Sequence, residues 1–452
     1  MRYDLKCLAV PLPEDVLKLK YYGDIGRLNR VIDSKLKKDI PWALKERLRL
    51  EKEIAPLWLR AYPHDEEKAL EMLRECFGDF SKEELDALRD DDAVEWAYIN
   101  GEVKYKNNFL SNLIKTRPAY AARVTDPKRL DQAKANETLL NETMAEMKKR
   151  GQLSARFHIR TEMRIQAPEG RENDPVWVHL PIPMEYAQVK NFQLIKLSHD
   201  DAVVAPPEYP HRTVCFHAVP DKPFFVEYTY EAHMRYNDPD PAKILDQQPT
   251  FYTEEYPPHI AFTPYLRMLC AEIVGNETNP LLKARKIYDF ITTKMIYSFM
   301  RAYMTMPNVP EYGASSMKGD CGVQALLFIT LCRVAGVPAR WQSGLYVAPG
   351  DEGAHDWAQF YVAPFGWMFA DPSFGGSAYR HGNKERWDFY FGNLDPYRMP
   401  ANAEYQHDFY IPFKNLRYDP YDNQDGEAEW DDASVPGRLT DTDHEVISVE
   451  TF

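Results

Sequence analysis

The stretch Gly319-Asp320-Cys321-Gly322-Val323-Gln324-Ala325-Leu326-Leu327-Phe328-Ile329-Thr330-Leu331-Cys332-Arg333-Val334-Ala335-Gly336-Val337-Pro338 decides how the rest of the chain is read. From Ala325 to Ala335 nearly every residue is apolar, and Gly336 with Pro338 is a helix stop. One helix from Cys321 to Ala335 would be apolar all round, which places it inside a core. Cys321 then stands in the first turn. Unpaired N–H groups and the helix dipole favour an anion there, so a thiol loses its proton more readily and a developing oxyanion finds donors. Cys332 lies three turns further on, about 16 Å away at ~1.5 Å per residue, beyond the ~7 Å reach of a disulfide. It reads as core. A lone cysteine reads first as a buried structural thiol, and the segments C-terminal to the helix change that reading.

Ala339 to Val347 has the pattern of a strand. The polar loop Pro349-Gly350-Asp351-Glu352-Gly353 leads into a second strand, His355-Asp356-Trp357-Ala358-Gln359-Phe360-Tyr361-Val362, and a Pro/Gly turn leads into a third, Gly366-Trp367-Met368-Phe369-Ala370-Asp371-Pro372. Side chains alternate faces, so His355, Trp357, Gln359 and Tyr361 share one side. A three-residue loop at Ala363-Pro364-Phe365 pairs Val362 with Gly366. Asp371 then falls opposite Trp357, on the face of His355 and one diagonal step away, about 7–8 Å at the backbone. A two-residue loop would put Asp371 on the wrong face, so the three-residue loop is expected. Thiol, imidazole and carboxylate in this setting are the parts of a Cys-His-Asp triad.

These segments resemble the transglutaminase-like superfamily. That family is marked by G-x-C-x-x-x-A-x-L on a buried helix ending R-x-x-G-[IV]-P-[AV]-R, then H-[AD]-W-x-x-x-Y, then D-P after a Gly-Trp turn. Here they read Gly319 to Leu327, Arg333 to Arg340, His355 to Tyr361, and Gly366-Trp367 to Asp371-Pro372. The resemblance covers about residues 280 to 376. It implies an α+β, papain-like transglutaminase core in which a buried helix packs on an antiparallel sheet. It also implies Cys321 as nucleophile, His355 as general base and acid, and Asp371 as orienter. The backbone N–H of Cys321 would supply part of the oxyanion hole, with Tyr297 or Gln342 as candidates for a second donor. Trp357 and Trp367 would line the cleft or pack the sheet. The segment Val176 to Pro183 is similar to the sandwich that precedes this core in many bacterial members.

The activity implied is cysteine-dependent hydrolysis of amide or peptide bonds through a thioester acyl-enzyme, on a peptide or protein substrate. A cross-linking protein-glutamine acyltransferase and a non-catalytic protein-binding scaffold are the alternatives. The chain lacks the acidic calcium-loop pattern expected of animal-type cross-linking enzymes, the acyl-CoA features of arylamine acetyltransferases, and the paired CxxC ligands of peptide N-glycanases. An intact triad weighs against the scaffold. No metal and no organic cofactor is expected.

Outward from this core, four regions are expected. Residues 1–152 read as helical, with Trp42, Leu44, Leu48 and Leu50 at helical spacing and a Ser81-to-Glu84 capping box. Residues 153–240 change to a period of two, as in Phe157, Ile159, Thr161, Met163 and Ile165, and suggest a β-sandwich. After a linker rich in Asp-Pro, residues 258–420 hold the core, and residues 421–452 read as an acidic surface arm. The aromatic stretch from Trp387 to Tyr421 reads as packing, with a cover over the cleft as the alternative. The chain has 452 residues, and 55 Lys plus Arg against 69 Asp plus Glu give a net charge of −14, which argues against a phosphate-tracking protein. The longest apolar run, Ala325 to Leu331 broken only by Thr330, is far short of the ~20 residues a spanning helix needs. With no signal-peptide pattern at residues 1–12, a cytoplasmic protein without a membrane or nucleic-acid partner is expected. The six cysteines show neither CxxC pairs nor zinc spacing. Oligomeric state is not encoded in any of these patterns.

Overall fold

The computed structural model describes residues 4–124 and 127–452. At its centre the helix Cys321–Val334 begins where Asp320 accepts a hydrogen bond from the Val323 N–H at 3.1 Å. Every residue from Gly322 to Arg333 is buried, as an all-apolar helix requires. It packs among the helices Pro264–Val274, Pro280–Lys294 and Val309–Ser316 and against one face of a five-stranded sheet. That sheet is antiparallel in the order Phe391–Gly392, Gly366–Ala370, Asp351–Val362, Ala339–Ala348, Arg398–Asn402. The result is the α+β, papain-like arrangement expected of a transglutaminase-like core.

Two local features fix the register. Val362 pairs with Gly366, so residues 363–365 form the three-residue loop. At the other hairpin Ala348 pairs with Asp351, which leaves only Pro349-Gly350 in the turn and starts the second strand four residues earlier than its polar composition suggests. Gly350 takes φ +74° there, which a Pro-Gly turn supplies without strain. On the far edge, Gly344 lets the strand Arg398–Asn402 come close: a Cβ at this position would lie 1.9 Å from the Met399 carbonyl oxygen.

The sandwich has two four-stranded sheets. Gln152–Ile165 pairs with Phe224–Arg235, and Phe157, Ile159, Met163, Val226, Tyr228 and Tyr230 point into the core. The same cluster includes Leu345, Val347, Met399 and Ala401 of the central sheet, so the sandwich and the five-stranded sheet share buried surface. Both sheets take a strand from the C-terminal stretch that its composition marks as a surface arm. Glu427–Glu429 pairs with Val176–Pro181, and Thr440–Thr451 pairs with Gln152–Ile165. The last strand puts Asp441 opposite Arg164, Glu445 opposite Arg160 and Glu450 opposite Arg156. Within the acidic stretch Glu427 pairs with Arg417, Asp431 with Lys414 and Asp432 with Arg171, so acids that suggest a loose tail are tied into the fold.

Residues 4–124 are mainly helical but include the hairpin Trp96–Ile99 with Glu102–Tyr105. Ser81 caps the helix Lys82–Asp90 through the Glu84 N–H. This region has small cores of its own and is anchored to the central one through Leu5, Cys7, Leu50 and Ile54. Its helix Phe109–Thr116 docks on the centre: the Asn112 side chain accepts from the Phe299 N–H at 2.9 Å and donates to Ser298 at 3.4 Å.

Candidate active site

Cys321 begins the buried helix and is half-buried. Its thiol donates to Oδ2 of Asp356 at 3.3 Å and also lies against the backbone N–H of Asp356, within the peptide that joins Asp356 to His355. Burial pushes the thiol well above its ordinary pKa, and the nearby carboxylates of Asp356 and Asp320 push in the same direction. At rest the sulfur is therefore a neutral thiol with its proton toward Asp356. The packing is tight. A Cβ on Gly322 would lie 2.2 Å from the Tyr303 hydroxyl and 2.7 Å from the Asp356 carboxylate, so the second residue of the helix must be glycine for both groups to approach.

The second half of the site starts from the opposite face of the strand. His355 bonds through Nε2 to Oδ2 of Asp371 at 2.8 Å. Asp371 is fully buried, caps the helix Pro372–Arg380 through the Phe374 N–H at 2.9 Å, and accepts from Arg398 Nη2 at 3.1 Å. Burial alone would raise the Asp371 pKa, but His355 and Arg398 outweigh it and hold the carboxyl below its ordinary value. Burial lowers the His355 pKa, and the attraction of Asp371 offsets only part of that. A neutral imidazole that donates from Nε2 leaves Nδ1 with a free lone pair. Among the described residues no hydrogen bond joins this imidazole to the thiol.

Period-two alternation explains the division. His355 faces Asp371, so the next residue, Asp356, faces the helix end and meets Cys321. The motif contains this residue but does not by itself mark a carboxylate beside the thiol. The surroundings of Asp356 come from further along the chain. Gln424 donates from Nε2 to Oδ1 of Asp356 at 2.7 Å and to the His355 carbonyl at 3.0 Å. Asp422 bonds to Ser343 and Asp356 and sits near Asp419. Burial, then Asp320, raises Asp356 to about 7; burial, then Glu427, raises Asp419 to about 7. Burial, then Asp419 and Asp356, raises Asp422 well above the carboxylate range.

These raised carboxyls make stability depend on pH. The folded form holds protons that the unfolded carboxyls release near pH ~3.9, so the cluster's contribution is complete below that pH and is lost as the pH rises through about 7. Denaturant midpoints measured from pH 5 to 8 should fall less steeply for Asp422→Asn than for wild type, against a limiting slope of about 1.4 kcal/mol per pH unit for one proton. Equal slopes would mean that the cluster does not titrate in this window.

The remaining expected residues separate clearly. Tyr297 is at the site: its hydroxyl bonds to Cys321, and burial, then the Cys321 charge, pushes its pKa far up. Gln342 is not. Its amide carbonyl accepts from Trp357 Nε1 at 2.6 Å and from Gln188 at 2.9 Å on the sheet face away from the thiol, because Gln342 pairs with Trp357 in the ladder. Trp357 is fully buried beside His355. Trp367 packs on the outer sheet face with Arg340, Tyr361 and Tyr252, away from Cys321. Tyr303, which bonds Asp320 at 2.5 Å, and Arg398 carry no motif that would have singled them out.

Among the described residues no group of three His, Cys, Asp or Glu side chains is disposed to hold a metal ion. No described helix is long and apolar enough to cross a membrane.

Residues 267–372 match the family model of the transglutaminase-like superfamily. A curated relative, an uncharacterised protein of Haemophilus influenzae, is 27% identical over 137 residues. The match covers 25% of this chain and 37% of that protein, so the chain spans well under two thirds of the relative's length. A Cytophaga hutchinsonii protein assigned to the cysteine proteases aligns at 14% identity with TM-score 0.41, over 67% of this chain and 90% of its own. The periplasmic domain of TgpA from Pseudomonas aeruginosa aligns at 13% identity with TM-score 0.29, over 54% of this chain and 95% of that one.

Proposed function

We propose that this chain, which carries a transglutaminase-like core, is a cysteine-dependent peptidase or amidase that works through a thioester acyl-enzyme. Cys321 is the nucleophile, His355 the general base and then acid, and Asp371 the orienter. The observation that carries this reading is the buried His355 Nε2–Asp371 hydrogen bond, which leaves Nδ1 with a free lone pair on the residue next to Asp356, the one that holds the thiol. The family match over residues 267–372 supports it.

The resting bond from Cys321 to Asp356 sets the first step. The thiol lies against the backbone N–H of Asp356, and for reaction it must leave the Asp356 carboxylate and reach Nδ1 of the adjacent His355. Turned toward Nδ1, the thiol passes its proton to the imidazole, and the sulfur adds to the amide carbonyl. The oxyanion is held by the Cys321 N–H and the Tyr297 hydroxyl. The imidazolium returns the proton to the leaving amine, which departs and leaves a thioester. Water, activated by the same imidazole, then releases the acid and the free thiol.

Casein, incubated with and without monodansylcadaverine and followed by mass spectrometry, tests the reading. New chain termini that depend on Cys321 support hydrolysis. Dansyl incorporation at glutamine would reassign the chain to amine transfer, and the absence of any Cys321-dependent product from casein would contradict both.

A further inference from the structure

Two cations, Lys115 and Arg380, stand near Tyr297, the tyrosine that bonds the thiol, and neither has an acid within ion-pair distance among the described residues. Lys115, on the N-terminal helix Phe109–Thr116, holds its ammonium 4.2 Å from the Tyr297 ring centroid and 4.8 Å from that of Phe299. The hydroxyl of that same Tyr297 bonds to Cys321. Arg380, the last residue of the helix Pro372–Arg380, is close enough to Tyr297 and to Lys115 for their charges to interact. Both side chains are exposed, and among the described residues neither forms an ion pair. The charges of Asp351 and Asp320 reach Lys115, but the hydrogen bonds of both carboxylates go to other groups. Asp351 is bonded to the Asn136 amide, and Asp320 is bonded to Tyr303 while capping the buried helix.

Lys115 over the Tyr297 ring and Arg380 within charge range of the same tyrosine, in a chain of net charge −14, repel each other unless an anion lies between them. We propose that Lys115 and Arg380 form a carboxylate-binding subsite next to the scissile bond, so that the substrate is a peptide with a carboxylate close to the amide that Cys321 attacks. This inference rests on Cys321 being the nucleophile. The rings of Tyr297 and Phe299 hold the Lys115 ammonium in place while it is unoccupied, and the carboxylate would take up the charge that the acids around it leave unpaired. The same chemistry fits a C-terminal carboxylate and an acidic side chain, and the experiment separates the two. It also gives residues 4–124, which carry no catalytic motif, a part in substrate selection.

The test compares alkylation of Cys321 by anionic iodoacetate and by neutral iodoacetamide in the full chain, mapped by cysteine. The iodoacetate-to-iodoacetamide rate ratio at Cys321 should exceed that of N-acetylcysteine by about tenfold, the scale of one close charge contact. It should drop toward the free-thiol value in Lys115→Met and Arg380→Gln and be retained in Lys115→Arg. Protection of Cys321 from iodoacetate by N-acetylalanine identifies a terminal carboxylate, and protection by N-acetylglutamic acid α-amide identifies a side-chain carboxylate. A wild-type ratio equal to that of the free thiol, a ratio unchanged in both charge-removing variants, or protection by neither compound overturns the subsite alone. Failure of Cys321 to react with either reagent overturns the nucleophile assignment, and the subsite with it.

Discussion

Cys321→Ala lowers casein cleavage by about 10⁴- to 10⁶-fold, the loss expected when the nucleophile of a triad is removed, while the urea midpoint stays close to that of wild type. Cys321 is half-buried, and its sulfur makes only weak hydrogen bonds, to Asp356 and the Tyr297 hydroxyl, so its removal takes little from the folded state. The helix that carries it is held by the wholly buried face from Gly322 to Arg333, which the substitution does not touch. Turnover measured beside the unfolding midpoint separates the two effects. Cleavage that persists in the alanine variant would place the chemistry on another group.

The second large effect is on stability. Arg398 is fully buried and bridges Asp371 at 3.1 Å and Asp395 at 3.0 Å, with its guanidinium over the rings of Phe374 and Tyr346. Arg398→Met fills most of the volume but leaves two buried carboxylates without their counter-charge. Removal of one member of such a network costs about 3–5 kcal/mol. It also weakens the force that keeps Asp371 ionised, so the His355 orienter should lose part of its charge at neutral pH and activity should fall with stability. Chemical denaturation at pH 7.5 checks the first effect, and a cost below about 1 kcal/mol, the scale of an exposed pair, would show that the network is not what holds this corner. The companion substitution Asp395→Asn, which keeps Arg398 paired with Asp371, should cost less.

Much of the core is legible in the sequence because its signals are local. The apolar run from Ala325 to Ala335 can only be a buried helix, and the length of the Ala363-Pro364-Phe365 loop, given strand alternation, brings His355 and Asp371 to one face. The same alternation sends Asp356 to the thiol, a consequence of the identical rule that the motif itself does not mark. The contacts that escape a sequence reading are long-range. Gln424 and Asp422 reach the site from an acidic stretch whose composition hides its strands, Arg398 enters on an edge strand with no motif, and Lys115 arrives from a helix some two hundred residues earlier in the sequence. Gln342 shows the opposite error: its ladder position opposite Trp357 commits its amide to the other face of the sheet. No local pattern of residue types carries such contacts; only the folded register does.

At the centre of this mechanism, a thiol resting on Asp356 reacts by giving its proton to His355. The most direct measurement is the rate of Cys321 alkylation by iodoacetamide at pH 7, mapped by cysteine, in wild type and His355→Ala, with Cys76 as internal reference. An unassisted thiol of pKa about 8.5 or higher is largely protonated at that pH. Cys321 in the wild type should react at least about tenfold faster than in His355→Ala, the low end of base assistance being ~10²-fold in catalysis, while Cys76 is unchanged. Equal Cys321 rates in the two proteins would contradict proton transfer to His355.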